Sequence, residues 1–226
     1  MKKLLVIFAV LASFAVNAQN FQLHRDLDRD QFTTTFEMFK MDKWGNTFTF
    51  VDFDYDAENG INQGYFEIAR VLKTEKMPIG IHIEYNGGVG NAETPIGNFG
   101  YTITNAWIYG LNYSKGNAKC GFSTYAGYKS FKNAGKGNFQ VTGTWYANLF
   151  KNKVTLSGFA DLWSENGDNE AIASGIVADK LVFLTEPQFW YNATENLSLG
   201  SEIEISNNFA GYNFKVRPTL AVKWNF

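Results

Sequence analysis

The C-terminal segment alternates between apolar and polar side chains at every second position. A period of two is the pattern of a β-strand with one apolar face and one polar face. A membrane-spanning β-strand needs about 9–11 residues, and this segment is long enough. The alternation therefore predicts a strand whose apolar face is formed by Phe214, Val216, Pro218, Leu220, Val222, Trp224 and Phe226.

The same alternation recurs along the chain and predicts about twelve strands. They would hold roughly 60% of the residues after position 18, far more than in an ordinary globular domain. A barrel without helices accounts for such a fraction, so the predicted fold class is all-β, a transmembrane antiparallel up-and-down β-barrel. The clearest strands are at 32–39, 79–86, 139–149, 154–162, 197–205 and 214–226, with others near 20–27, 47–55, 63–73, 102–113, 119–129 and 180–191.

The connections between these strands alternate in length, as they do in outer-membrane barrels with short periplasmic turns and longer outer loops. An even number of strands would place both termini in the periplasm. Only the first outer connection, 26–30, is short for its side. The predicted turns are 42–46, 73–78, 114–118, 150–153 and 192–196, and the predicted outer loops are 56–63, 87–100, 130–138, 164–180 and 207–213.

The N-terminus has the features of a secretory signal peptide. Lys2 and Lys3 precede an apolar run from Leu4 to Val16, and Ala18 is a small residue suited to cleavage. The run is shorter than the roughly 20 residues of a membrane helix. We therefore predict a signal peptide over residues 1–18 and a barrel over residues 19–226, exported to the outer membrane of a Gram-negative bacterium.

Composition narrows the function classes further. A net charge of −2 argues against nucleic-acid binding, and a single cysteine, Cys120, leaves no internal disulfide. With two histidines in the chain, no metal or other cofactor is expected. The 17% aromatic content suits a barrel with an interfacial girdle at each rim. Girdle positions are expected for Trp44, Trp145, Trp163, Trp190 and Trp224.

The inward faces predicted by the alternation combine carboxylates and aromatic rings on one part of the wall with basic side chains, including Lys223, on a neighbouring part. Opposed charges across a bore on the order of 10 Å would orient polar solutes. Rings stack on flat heterocycles while carboxylates accept hydrogen bonds from hydroxyl or amino groups. The predicted channel-lining residues are Glu37, Phe39, Phe50, Asp52, Asp54, Tyr65, Glu67, Glu84, Glu202, Glu204, Lys215 and Arg217.

Several segments resemble the nucleoside-specific channel (Tsx-type) family, in the same order along most of the chain. They are Phe36–Trp44, Asp54–Asp56, Phe66–Ile68, Asn105–Tyr109, Tyr125–Tyr128 and the terminal Asn225-Phe226. The resemblance implies a twelve-stranded monomer that passes nucleosides along its lumen. Its implied solute-binding positions here are Glu37, Phe39, Asp54 and Glu67, although the chain is shorter and its outer loops smaller.

An outer-membrane barrel can also be an enzyme or a structural protein. An outer-membrane lipid-modifying enzyme needs a nucleophile with a base in reach. His82 is predicted to face the lumen with no neighbouring serine, and His24 is expected to be solvated near a loop, so no enzyme is expected. A structural or plugged barrel without transport remains the main alternative. Expected partners are outer-membrane lipid, a small permeant and the barrel assembly machinery, which would recognise the C-terminal Phe226.

Overall fold

A computed structural model describes residues 17–56, 60–74, 76–168 and 179–226. Its regular elements are all β-strands. They are β1 (Asn17–Asp26), β2 (Phe32–Asp42), β3 (Gly45–Asp56), β4 (Gly60–Leu72), β5 (Ile79–Thr94), β6 (Gly97–Gly116), β7 (Cys120–Phe131), β8 (Phe139–Leu149), β9 (Val154–Glu165), β10 (Lys180–Thr185), β11 (Gln188–Asn192), β12 (Leu197–Asn207) and β13 (Lys215–Asn225).

The strands form one closed antiparallel barrel. Each strand pairs with the next except β10 with β11, and β1 pairs with β13 from Asn20↔Asn225 to Asp26↔Thr219. Strands β10 and β11 both lie between β9 and β12, so they are two halves of one barrel strand. The break falls at Pro187, which has no N–H for the ladder. The described chain is thus a twelve-stranded up-and-down β-barrel, and the predicted fold class is confirmed.

The barrel is apolar outside and polar inside, which is the reverse of a soluble domain. Strand β13 illustrates this, because the outward Leu220 is 61% exposed and the inward Arg217 only 3%. Fully enclosed polar side chains are numerous on the inward faces of several strands. Among the described residues, no helix is long and apolar enough to cross a membrane.

The short connections fall where the sequence predicts them, at 43–44, 73–78, 117–119, 150–153 and 193–196, with residue 75 outside the described part. On the opposite rim lie 27–31, 57–59, 95–96, 132–138, 166–179 and 208–214. Residues 57–59 and 169–178 are outside the described residues. The placement of turns on one rim and outer connections on the other is therefore confirmed, but the predicted difference in length is not, because the outer connection 95–96 has two residues and the turn 73–78 has six.

The predicted loop at 87–100 is wrong. Strands β5 and β6 continue through it as a tall hairpin, paired from Gly88↔Ile103 to Thr94↔Gly97. Glycines interrupt the side-chain alternation here, but the backbone ladder does not need side chains. At Gly88 a side chain would not fit, because a Cβ would lie 2.3 Å from the carbonyl oxygen of Gly64. The ladder continues past one irregularity, at Asn86.

The predicted signal peptide lies almost wholly outside the described residues, which begin at Asn17. Asn17 and Ala18 pair with Lys40 and Phe39 as the first residues of β1. The leader over residues 1–18 and its cleavage after Ala18 are not tested by this pairing and stay predictions.

The predicted girdle positions are wrong for two of the five tryptophans. Trp44, Trp145 and Trp224 are exposed on the outside, but Trp163 and Trp190 are buried inside the barrel. Both inward indoles donate an Nε1–H hydrogen bond to a side chain two positions away on the same face. The alternation along the strand, rather than nearness to a strand end, decides that these two side chains face the lumen. Trp163 forms a small inner apolar cluster with Val182 and Leu184, against which Phe159 and Phe209 pack.

Candidate functional site

The inward face of β2, β3 and β4 forms a wall of aromatic rings and carboxylates, called the open wall below. Phe50 lies directly opposite Glu37 on β2 and Glu67 on β4, so a carboxylate flanks the ring on either side. The Phe50 ring centroid is 6.0 Å from that of Phe48 and 5.9 Å from that of Tyr65. All five side chains are only partly buried. Partial exposure of an inward ring cluster is what a solute-facing surface requires.

Neutral donors hold the carboxylates of the open wall. Asp52 accepts a hydrogen bond from Thr35 Oγ1 at 2.5 Å, and Asp54 accepts one from Thr33 Oγ1 at 2.6 Å. Glu67 accepts from the Tyr65 hydroxyl at 2.7 Å. Glu37 accepts from Asn20 Nδ2 at 3.2 Å, and Gln63 Nε2 donates to Asp54 at 3.1 Å.

None of these four carboxylates has an ion-pair partner within 4.0 Å among the residues that the structure describes. Their negative charge is oriented but not neutralised at contact distance. Such a wall accepts hydrogen bonds and attracts positive charge.

The inward face of β12, β13 and β1 is built differently and is called the closed wall below. Arg217 donates to Glu204 at 2.8 Å and to Asp28 at 3.2 Å, and Ser206 also donates to Glu204. Arg217, Glu204 and Ser206 are buried. The predicted lining residues Glu204 and Arg217 therefore satisfy each other.

The remaining predicted lining residues spread around the barrel. Phe39 lies opposite Phe48 at the edge of the open wall. Glu84 is buried on β5, beside His82 and Asn86. Glu202 accepts from Gln188, and the Lys215 ammonium lies 5.2 Å from the centroid of the Tyr212 ring. The structure thus places eleven of the twelve predicted residues on two walls rather than in one site, with four of them on the closed wall and Glu84 on β5 outside both. The other seven lie on β2, β3 and β4 and make up the open wall: Glu37, Phe39, Phe50, Asp52, Asp54, Tyr65 and Glu67.

The expectation that His24 is solvated is wrong. His24 is buried, with Nδ1 at 3.1 Å from Thr219 Oγ1 and Nε2 at 2.9 Å from Gln22 Oε1. Strand β1 continues to Asp26, so its alternation turns His24 inward before the loop begins. The lumen-facing prediction for His82 is confirmed, because it is buried and its ring stacks on Tyr125 at 3.7 Å.

Sequence reasoning missed three enclosed side chains of the closed side: Asn20, Gln22 and Trp190. The first two form a hydrogen-bonded row with His24, and Trp190 meets His24 edge-on, its ring centroid 6.0 Å away. The signal was present, since polar residues at positions 20, 22, 24 and 26 alternate with Phe21, Leu23 and Arg25.

Comparison with known families assigns the chain to one of them. A family model described as a domain of unknown function (DUF5020) matches residues 18–226. The chain belongs to this family. No curated protein matches the chain in sequence.

Solved porin structures share the fold of this DUF5020 barrel. The KdgM porin has a TM-score of 0.52 and 9% identity, and the NanC porin 0.57 and 10%. Each match covers 92% of this chain and 99% of the porin. A further match, at a TM-score of 0.51 and 10% identity, is the KdgM porin in complex with disordered oligogalacturonate; it too covers 92% of this chain and 99% of that one. At such identities the likeness concerns the fold alone.

In the part of this DUF5020 barrel that the structure describes, no three His, Cys, Asp or Glu side chains are grouped to hold a metal ion. What the arrangement offers instead is a partly exposed ring surface bordered by hydrogen-bond acceptors. A surface of this kind binds flat polar solutes by stacking and by accepting their hydrogen bonds.

Proposed function

We propose that this chain is an outer-membrane channel for passive diffusion of small polar solutes, with nucleosides and similar ring-bearing solutes as its permeants. The observation that carries the proposal is the open wall, where Phe50 lies between Glu37 and Glu67 in register. A ring bordered by acceptors matches a base joined to a hydroxyl-bearing sugar.

The outer surface supports the membrane location. Outward residues of β13 and β12 are apolar and exposed, including Leu220, Val222 and Leu199. In water such a belt would be a large unpartnered hydrophobic surface, whereas in a bilayer it faces hydrocarbon. The porin fold neighbours agree with a bacterial outer-membrane barrel. Recognition by the assembly machinery would use Phe226, which is exposed, and the working unit would be a monomer.

The acidic side chains of the open wall narrow the class of solutes that can pass. The complex of the KdgM porin contains oligogalacturonate, a chain of carboxylated sugars. Here the partly exposed inward side chains of β2 to β4 include Glu37, Asp52, Asp54 and Glu67. Like charges repel across a narrow, poorly hydrated passage, so this wall disfavours polyanions and suits neutral heterocyclic solutes.

A plugged barrel is the second candidate, and one observation favours it. The inner apolar cluster of Trp163, Val182 and Leu184 receives Phe209 from the connection between β12 and β13. Together with the enclosed closed wall, this cluster fills part of the lumen with side chains. A barrel filled across its whole section would conduct nothing.

Single-channel conductance of the refolded protein in a planar bilayer tests the proposal. We expect discrete conductance steps that added adenosine or thymidine blocks reversibly. Phe50→Ala and Asp54→Asn should each weaken the block, because they remove a stacking surface and an acceptor.

Phe53→Ala is the matched control, since Phe53 is the outward neighbour on β3 and should leave the block unchanged. Steps without block would contradict nucleoside selectivity and leave a general small-solute pore. A folded protein without conductance would contradict the channel and favour the plugged barrel.

A further inference from the structure

The short first outer connection, residues 27–31, is folded against the barrel wall rather than away from it. The last pair of β1 with β13 is Asp26↔Thr219, whereas β13 continues upward to Lys215. The connection fills the space left beside β13, where the Leu27 N–H donates to the Pro218 carbonyl at 3.1 Å. This hydrogen bond keeps the connection close to the mouth of the barrel.

Asp26 fixes the conformation of this connection. Its carboxylate is buried and accepts hydrogen bonds from the N–H groups of Asp28 and Arg29, both at 2.8 Å. The Arg29 Nε–H donates to the other carboxylate oxygen at 2.7 Å. An aspartate that bonds the backbone two and three residues ahead stabilises a tight turn. The turn directs the side chains of Asp28 and Arg29 into the barrel.

Both side chains join the closed wall. Asp28 accepts from Arg217, and the Arg29 guanidinium lies 3.4 Å from Glu204 Oε2. The network then contains three carboxylates and two guanidinium groups. Asp26, Glu204 and Arg217 are enclosed, whereas the side chains of Asp28 and Arg29 are 45% and 38% exposed. Of the two positive charges in this network, Arg29 is therefore the one open to an incoming solute, since Arg217 is enclosed.

Arg29 also interacts electrostatically with the open wall. Its charge acts on Asp54, and also on Glu186 and Glu202. Partial burial lowers the pKa of Arg29, but the hydrogen bond and charge of Asp26 and the charges of Glu204 and Asp54 raise it by more. The guanidinium stays charged at every working pH.

We infer that Arg29, supplied by the short first connection, is the residue that determines charge selectivity at the outer mouth. This inference rests on the proposed channel function. Arg29 opposes the field of the open wall, so it lowers the preference for cations and offers a partner to a carboxylate or phosphate on an entering solute. Neutral and zwitterionic solutes then enter more readily than simple cations.

The test is the ratio of potassium to chloride permeability, measured as the reversal potential of the pore in a KCl gradient. Arg29→Gln should raise this ratio about two- to tenfold, the effect of one unit charge several ångströms away in a medium between protein and water. Arg29→Met, which keeps the aliphatic stem, provides a second neutral variant. Arg29→Lys should stay near the wild-type ratio.

Arg25→Gln is the matched control. Arg25 belongs to the same hairpin but faces outward, where it pairs with Asp30 and lies over the Phe32 ring. Its loss should leave the ratio unchanged, and heat-modifiable gel migration verifies folding of each variant. A conducting Arg29→Gln or Arg29→Met pore with the wild-type ratio would overturn the role of Arg29 alone. Absence of conductance in the folded wild-type protein would overturn the channel and this inference together.

Discussion

The open wall and the closed wall follow the same alternation of outward apolar and inward polar residues, yet they treat inward charge in opposite ways. On the open wall, Asp52 and Glu67 are held by hydroxyl groups and remain partly exposed. On the closed wall, Glu204 and Arg217 pair with each other and are enclosed. One binary pattern thus yields either a surface for solutes or a filled interior.

What decides between the two is the residue opposite on the next strand. Glu204 faces Arg217 across β12 and β13, whereas Asp52 faces Thr35 on one side and Tyr65 on the other. An enclosed charge needs an opposite charge with good geometry, because its desolvation is costly. A partly hydrated carboxylate needs only a neutral donor. Cross-strand partners therefore separate structural charge from charge that remains available.

The largest expected effect comes from breaking the closed wall at its centre. Arg217→Leu removes the nearest cation of the buried Glu204 carboxylate and leaves it only the more distant Arg29, which costs about 3–5 kcal/mol of stability. Unfolding of the detergent-solubilised protein, followed by tryptophan fluorescence against denaturant, measures the loss. Lys215→Leu, two residues away on the same face, is the control and should cost far less.

The double variant Arg217→Leu with Glu204→Leu should recover most of the loss, because it removes both charges of the pair. If Arg217→Leu alone left stability unchanged, the network would be hydrated and the distinction between the two walls would fail.

A smaller stability effect but a clear change in conductance is expected at Trp190. This indole is fully buried inside the barrel, with the Lys223 ammonium 3.8 Å from its ring centroid. Trp190→Ala should widen the lumen on the closed side and raise single-channel conductance. Some stability is lost as well, about 3 kcal/mol, the lower end for a truncated buried tryptophan, because water can enter the polar lumen. Tyr191→Ala, on the outward face, should leave conductance as it is. Unaltered conductance in Trp190→Ala would mean that the passage lies wholly along the open wall.

The strands were predictable from the sequence because lipid outside and polar groups inside impose a period of two. The prediction failed where that side-chain signal is absent, as in the glycine-rich stretch around Gly88 that forms a tall hairpin. It also failed for His24 and Trp190, whose nearness to strand ends suggested a loop and a girdle. In both cases the alternation itself pointed inward and was the better guide.

The candidate site was predictable only to the level of a face. Alternation places Glu67 and Glu204 alike on the inside, but their different environments depend on cross-strand register and on the first connection. That connection brings Asp28 and Arg29 to the closed wall from a segment with no periodicity of its own. Contacts of this kind depend on a tight turn at Asp26 and on barrel closure, neither of which a single strand reveals.

The smallest expected effect on stability comes from a substitution in the open wall, and it tests whether a carboxylate there is structural. Asp52→Asn retains the shape of the side chain and its contact with Thr35, so the loss should be about 1 kcal/mol or less. The same substitution removes a charge next to the ring cluster, so reversible block by nucleosides should weaken. Denaturant unfolding and block measured on one preparation separate the two effects. If Asp52→Asn instead destabilised the barrel as strongly as Arg217→Leu, the carboxylate would be structural, and the open wall would fill the interior as the closed wall does.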